Sequence, residues 1–436
     1  MRADRPPLRL LPAPGLELLV LPDARFKRAL LQVHFDSPFT DGRSPARVLA
    51  AQILEQGTRS HPSQMHLTRA EESLYGASVG LDGRRLADGH RVTLAVSWVG
   101  ERFLPAGAAV QAGVCALARE LLEEPARDAA GQIPAATLER ERRQLLRRIR
   151  SLSDDRAAYS RQRFLQLLCG DDPFGRPLWG GEEEVAALKE EDLEAARHGL
   201  LEQARISAVL VGPADPEEVA AFLADWFGAG GPHADAVRPP LPPVRLDRPD
   251  RLREDREALP LDQARLHFGF RFPPPATPED FEALTLANAI LGGGAQGRLF
   301  RIVREQRSLC YGISSSLRAR KGILAVGAGI DAASYREVRD EILAQAAVVA
   351  AGDWSEEEEA AARAGLRDQL DSLADSPSGL ARFHDRERLL GFRRTPSERV
   401  RDVAAVTRER IAAAAAAWEP ALVYLLAPVA AGEEAA

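Results

Sequence analysis

Two stretches of this chain, half its length apart, follow one pattern, and that repeat restricts the available folds more than any other feature. From Val185 the sequence reads V-A-A-L-K-E-E-D-L-E-A-A and closes with A-R-I-S-A-V-L-V-G-P at Pro213. From Val403 it reads V-A-A-V-T-R-E-R-I-A-A-A and closes with P-A-L-V-Y-L-L-A-P at Pro428. Each is a short apolar turn, a polar helix start, an Ala-rich helix and a β-branched strand. The offset, Val185 to Val403, is roughly 218 residues in a chain of 436. A solenoid repeats every 20–50 residues or so, so a period this long implies two copies of a whole domain. The length agrees, because a single core stops growing at about 250–300 residues.

Between the copies, residues 228–256 are rich in Gly, Pro and charge, as a semi-rigid spacer is. The expected organisation is therefore an N-terminal domain over 1–228, a linker over 229–256 and a C-terminal domain over 257–436. Pro239 to Pro243 also fits a PxxP ligand, though a spacer explains it as well. In the first half, Leu16 to Leu21 and Ala29 to Phe35 read as strands around the turn Pro22-Asp23, followed by helices over 45–56 and 66–75 and a strand over 91–99. Long helices over 105–123 and 135–170 and a strand over 205–211 complete it. The second half shows strands over 264–272, 311–317 and 323–330, with helices over 278–291 and 297–307 and long helices after them. Strands grouped as hairpins with helices outside predict an α+β fold, two homologous sandwich domains each with an antiparallel-rich sheet covered by helices.

Composition excludes several classes. Hydrophobic residues form 45% and charged residues 28% of the chain, a globular balance. The net charge of −7 gives no reason to expect nucleic acid. Cys115, Cys169 and Cys310 lie far apart, which fits a reducing compartment and rules out a cysteine zinc site. No signal-peptide core opens the chain, and no apolar run reaches the ~18 residues of a membrane span, so a cytoplasmic location is expected. The Arg-rich helix Arg140 to Arg150 has Leu138, Leu145, Leu146 and Ile149 as an apolar stripe beneath it and reads as a solvated or chamber-facing helix.

The segment L-G-G-G-A-Q-G-R-L-F-R-I-V-R-E-Q-R-S-L-C-Y-G-I-S-S-S (Leu291 to Ser316) is the most informative. Its glycines suggest a tight loop with positive φ leading into a helix near Gly297. A phosphate cradle is disfavoured, because no Lys-Ser/Thr follows as a P-loop needs. The segment resembles the second-domain motif of the pitrilysin/insulinase-type zinc peptidases, in the short-chain class that includes mitochondrial processing peptidase. Other landmarks agree in order: Gln56-Gly57-Thr58 with Leu74-Tyr75-Gly76-Ala77, then Asp172 to Pro177, then Leu389-Leu390-Gly391 with Thr395-Pro396.

In that family H-x-x-E-H places two His one helical turn apart to hold Zn²⁺, with the Glu activating a bound water. Placed by Gly57-Thr58, those three positions fall here on Val48, Ala51 and Gln52, which supply no zinc ligand set and no general base. The family's third ligand is a Glu seven residues after an earlier one; counted from Glu141, that position is Arg148, a cation. No His lies between His34 and His61, and His61 and His66, five apart across Pro62, suit a surface turn better than a metal.

The family's Arg and Tyr that hold the substrate backbone are matched by Arg304 and Tyr311. Arg offers forked donors to a carbonyl or carboxylate, and a Tyr hydroxyl can stabilise a developing oxyanion. The plainer reading pairs Arg304 with Glu305 or Glu282 and packs Tyr311 into a strand. The resemblance implies a clamshell-forming chain, inactive alone, serving as the non-catalytic subunit of a heterodimer. It would supply half a chamber for an unfolded peptide or small protein, with no metal of its own and zinc in a homologous partner subunit. The alternative is a peptide-binding scaffold or accessory factor, an inactive homodimer without proteolytic role.

Overall fold

The computed structural model of the protein describes residues 6–87, 89–236 and 251–429. The Pro239–Pro243 segment lies outside them. Two sheets form. The first joins β1 (Leu8–Ala13), β2 (Leu16–Leu21), β3 (Arg28–Pro38), β4 (Ser78–Arg85), β5 (Gly89–Val99) and β6 (Arg205–Val211) in the order β1-β2-β6-β3-β5-β4. The second joins β7 (Arg253–Leu259), β8 (Ala264–Arg271), β9 (Cys310–Arg318), β10 (Ile323–Ile330) and β11 (Glu419–Pro428) in the order β7-β11-β8-β10-β9. In each, one pair is parallel, β2 with β6 and β7 with β11, and the other pairs are antiparallel. The orders superpose once β1 is set aside, and the repeated sequence blocks end on the equivalent strands β6 and β11. The duplication and the α+β class are therefore real. No helix among the described residues is long and apolar enough to cross a membrane.

Three strands were not anticipated: β1, β4 and β7. All three lie at sheet edges. An edge strand is stabilised by backbone pairing with one neighbour and needs no apolar face, so alternation does not reveal it. β7 reads R-E-D-R-E-A-L and begins inside the stretch expected to be linker, yet Arg253 to Leu259 pair in register with Leu422 to Pro428.

Alternation fixes the inner face of each sheet. In β3, Leu31, Val33 and Phe35 point into one core with Leu94, Val96 and Trp98 of β5. In the second sheet Leu266, Phe268 and Phe270 meet Leu324 and Val326. Burying each such side chain contributes about 1.5–3 kcal/mol.

The opposite faces hold the main departure from the expected division at 228 and 257. The long helix expected over 135–170 is two helices, α2 (Ala135–Asp154) and α3 (Arg156–Cys169). Asp155 caps the second, its carboxylate accepting from the N–H groups of Ala157 and Ala158 at 3.0 Å. The two compact units are accordingly discontinuous. Unit 1 takes Met1–Ser151, Pro177–Pro243 and Ser372–Thr395; unit 2 takes Leu152–Arg176, Val244–Asp371 and Pro396–Ala436. In unit 2, Phe164 and Leu168 of α3 pack on Leu422, Tyr424 and Leu426 of β11. In unit 1, Leu380 and Ala381 of α4 (Pro377–Leu389) pack on Leu19, Leu21, Val209 and Val211. Each sheet is thus covered on its second face by a helix from the other half of the sequence.

The close seat of α3 needs a glycine beneath it. A Cβ on Gly269 would lie 2.9 Å from Phe164 Cζ and 3.0 Å from Leu168 Cδ1. Gly269→Ala is expected to destabilise unit 2 by about 1–3 kcal/mol through overpacking, read as a lower midpoint in urea. An unchanged midpoint would show that α3 lifts without penalty.

Candidate functional site

The helix α1 (Ser44–Leu54) carries Val48, Ala51 and Gln52, the three positions expected from the resemblance to match H-x-x-E-H. It begins with Pro45 in its first turn, a favourable place for proline, and buries Ala46, Leu49, Ala50 and Ile53. Leu145 of α2 joins the same cluster, with Leu146 and Ile149 packed against it, so the stripe read from the sequence does face the core. Val48 and Gln52 stand four residues apart on one helical face and are half-buried, while Ala51 is buried. Gln52 Oε1 is a buried acceptor with no hydrogen-bond partner, and the Gln52 carbonyl accepts from Gln56 Nε2 at 3.0 Å. Arg148 is exposed, its guanidinium 5.8 Å from the centroid of the Trp179 ring. The earlier carboxylate on that helix, Glu141, is buried and accepts from Arg140 Nε at 2.9 Å.

Among the described residues no three His, Cys, Asp or Glu gather as metal ligands. His61 and His66 turn to separate partners. The His61 Nδ1 lies 3.4 Å from Glu120, and the His66 Nδ1 lies 2.7 Å from Ser63 Oγ.

Two carboxylates missed in the sequence close the strand beside α1. Glu55, which caps that helix, accepts from the Leu81 N–H at 2.6 Å, and Glu71 accepts from the Val79 N–H at 2.8 Å. β4 is an edge strand, so these bonds occupy backbone donors that an added strand would otherwise use. Burial raises the Glu55 carboxyl pKa, opposed by the Leu81 N–H. Nothing in local spacing marks either residue, since each acts across a fold rather than along a helix.

Arg304 and Tyr311 are in unit 2. The Gly-rich loop does not use positive φ: neither Gly292, Gly293, Gly294 nor Gly297 is among the positive-φ residues. Space is what demands glycine. A Cβ on Gly292 would stand 2.8 Å from Leu299 Cδ1, and one on Gly297 2.7 Å from the Gly292 Cα. The Gly292 carbonyl accepts from the Ser315 N–H at 2.8 Å, which ties the loop to β9. The loop leads into a π-helical segment, Leu299–Gln306, where a helix was expected.

Four arginines lie on or beside that segment. Arg298 and Arg301 bind Glu358 at 2.7 Å, and Arg307 pairs with Glu341. Glu358 also accepts from the Ser355 N–H at 2.9 Å, at the start of the helix Glu356–Leu373. Arg304 differs. It is about as exposed as Arg301 and Arg307, but its Nε reaches only its chain neighbour Glu305, at 3.4 Å, and its guanidinium sits 4.5 Å from the Phe300 ring centroid. Glu282, the other expected neighbour, is buried and held by Arg399 Nε at 2.8 Å. Tyr311 is 70% exposed on the edge strand β9 rather than half-buried in packing. Arg304 also acts on Cys310, whose thiol burial pushes up to about 11 against the lowering by that cation.

Residues 187–366 match the family model described as the peptidase M16 inactive domain. A probable inactive metalloprotease of Bacillus subtilis, YmfF, is 26% identical over 372 residues, 85% of each chain. A conserved protein from Enterococcus faecalis superposes with a TM-score of 0.89 at 21% identity, covering 98% of this chain and 100% of the other. A peptidase M16 inactive domain from Pseudomonas fluorescens gives 0.77 at 18% identity over 98% and 100%. The likeness read from the motifs is borne out.

Proposed function

We propose that this chain, a relative of the M16 metalloproteases without the zinc motif, is the non-catalytic subunit of a heterodimeric zinc peptidase. In this reading it contributes half of the chamber and holds peptide for a zinc-bearing homologous partner. The observation that carries the reading is the contrast between its arginines. Arg298, Arg301 and Arg307 make short ion pairs with acids of other helices, whereas Arg304 makes a longer contact, 3.4 Å, with its exposed chain neighbour Glu305, and Tyr311 is 70% exposed. Arg304 would donate to a peptide carbonyl, and the Tyr311 hydroxyl would stabilise oxyanion charge generated by the partner's chemistry. Val48, Ala51 and Gln52 make this chain's own contribution non-chemical. The blocked β4 edge supports placing the grip in unit 2.

The test is reconstitution with a homologue bearing H-x-x-E-H. Peptide cleavage should appear only on mixing, and Arg304→Ala or Tyr311→Phe should lower kcat/KM about 10²-fold. Unchanged rates in both variants overturn the proposed grip. A stable homodimer that binds peptide while no partner gains activity from it supports the scaffold reading instead.

A further inference from the structure

Unit 1 contains a cavity of about 350 Å³ between the end of β4 and α4, near the lower limit of small-ligand sites. On α4, residues 382, 385, 386 and 389 recur at helical spacing and share a face toward it. Arg84 and Arg85 approach from β4, so four arginines line the cavity against one acid, Asp385.

That acid is already engaged. Its Oδ1 accepts from Arg388 at 2.8 Å, and its Oδ2 accepts from Arg84 at 2.9 Å and also from Arg91. Arg382 stands exposed on the same wall, and Arg84 brings further N–H donors beside its bond to that acid. Burial and then the neighbouring Arg91 lower the Arg84 pKa. The remaining wall is apolar: Leu86 and Phe383 are buried and Leu389 half-buried, with the Arg386 guanidinium 5.6 Å from the Phe383 ring centroid. Forked donors beside apolar side chains recognise an anion joined to an apolar body.

We infer that this cavity binds a carboxylate carried on an apolar group, with Arg382 and Arg84 holding the carboxylate and Leu86, Phe383 and Leu389 the body. Two sources share that chemistry, the free C-terminus of an apolar peptide and a small organic acid. The site involves neither Arg304 nor Tyr311, so it stands apart from the peptidase reading.

Calorimetric titration of the full chain with acetyl-leucyl-phenylalanine and with 3-phenylpropionate should show saturable binding of at least one. The tighter of the two identifies the source. The C-terminal amide of the peptide should bind about tenfold more weakly or worse, and exposed Arg382→Gln should weaken the acid by a similar factor. A Tyr311→Phe control should leave binding unchanged. Lack of binding by both acids, equal affinity for acid and amide, or an unaffected Arg382→Gln variant with native circular dichroism overturns the inference. Inorganic phosphate binding as tightly as either acid overturns the apolar half of it.

Discussion

Replacing Arg91 with methionine is expected to cost unit 1 about 3–5 kcal/mol. Arg91 is fully buried on β5, directly opposite Asp36 on β3. Its Nη2 donates to Asp36 at 2.6 Å, and its Nη1 donates to Asp385 on α4. The arginine therefore joins two strands to the helix that covers them. Methionine keeps much of the volume but leaves two buried carboxylates short of their shared cation. Asp385 would retain Arg84 and Arg388, so Asp36 suffers more. Urea unfolding followed by near-UV circular dichroism reads the change. A loss below about 1 kcal/mol would mean that water reaches the cluster and screens it as at a surface. Changing Arg91 and Asp36 together to apolar residues should recover much of the loss, because buried ion pairs often do no better than well-packed hydrophobes and Asp385 keeps Arg84 and Arg388.

Acid should destabilise the protein well before its carboxylates protonate. His34, His90 and His267 are buried, and burial is the first cause lowering each pKa, to about 3 for His90 and His267. Nearby arginines oppose a proton on each: Arg91 at His34, Arg47 at His90, and Arg161 with Arg265 at His267. In the unfolded chain these rings titrate near the ordinary histidine value, about 6.5. Between that value and the folded one, the unfolded state binds more protons. Stability therefore falls as pH is lowered through the window, by up to about 1.4 kcal/mol per pH unit for each histidine. Asp385 adds to the loss only at lower pH. Its folded pKa is depressed, chiefly by Arg91 against burial, so its contribution holds above the unfolded value of 3.8 and declines below it. Unfolding free energies at pH 7, 6, 5 and 4 should show uptake approaching three protons. His90→Phe isolates one of them. Its ring stacks on Phe39 and neither ring nitrogen has a hydrogen-bond partner, so phenylalanine should fit and remove about one proton from the slope. A slope unchanged in that variant would place the proton uptake elsewhere.

The candidate positions come from the resemblance to the zinc peptidases, and residue identity then says what each can do. Val48, Ala51 and Gln52 occupy a helical face whatever surrounds it, and side chains without suitable donor atoms cannot form the expected zinc set. Arg304 and Tyr311 were expected only through the resemblance to the zinc peptidases. Whether they were open was not legible, because that depended on Glu358, Glu341 and Glu282 engaging other arginines from distant elements. Glu55 and Glu71 escaped notice for a related reason: their partners are backbone N–H groups on a strand without an apolar pattern.

The sequence alone determined the duplication and the α+β class, both written in local periodicity; the expectation of a missing zinc motif came with the resemblance to the zinc peptidases. Only the tertiary structure decided that α3 belongs to unit 2 and α4 to unit 1, that charged Arg253 to Leu259 form a strand, and that Arg91 is buried between two aspartates. Those outcomes depend on which surfaces meet across more than a hundred residues. An amphipathic helix specifies that it must bury a face, but the sheet that receives it is set by contacts along the whole chain.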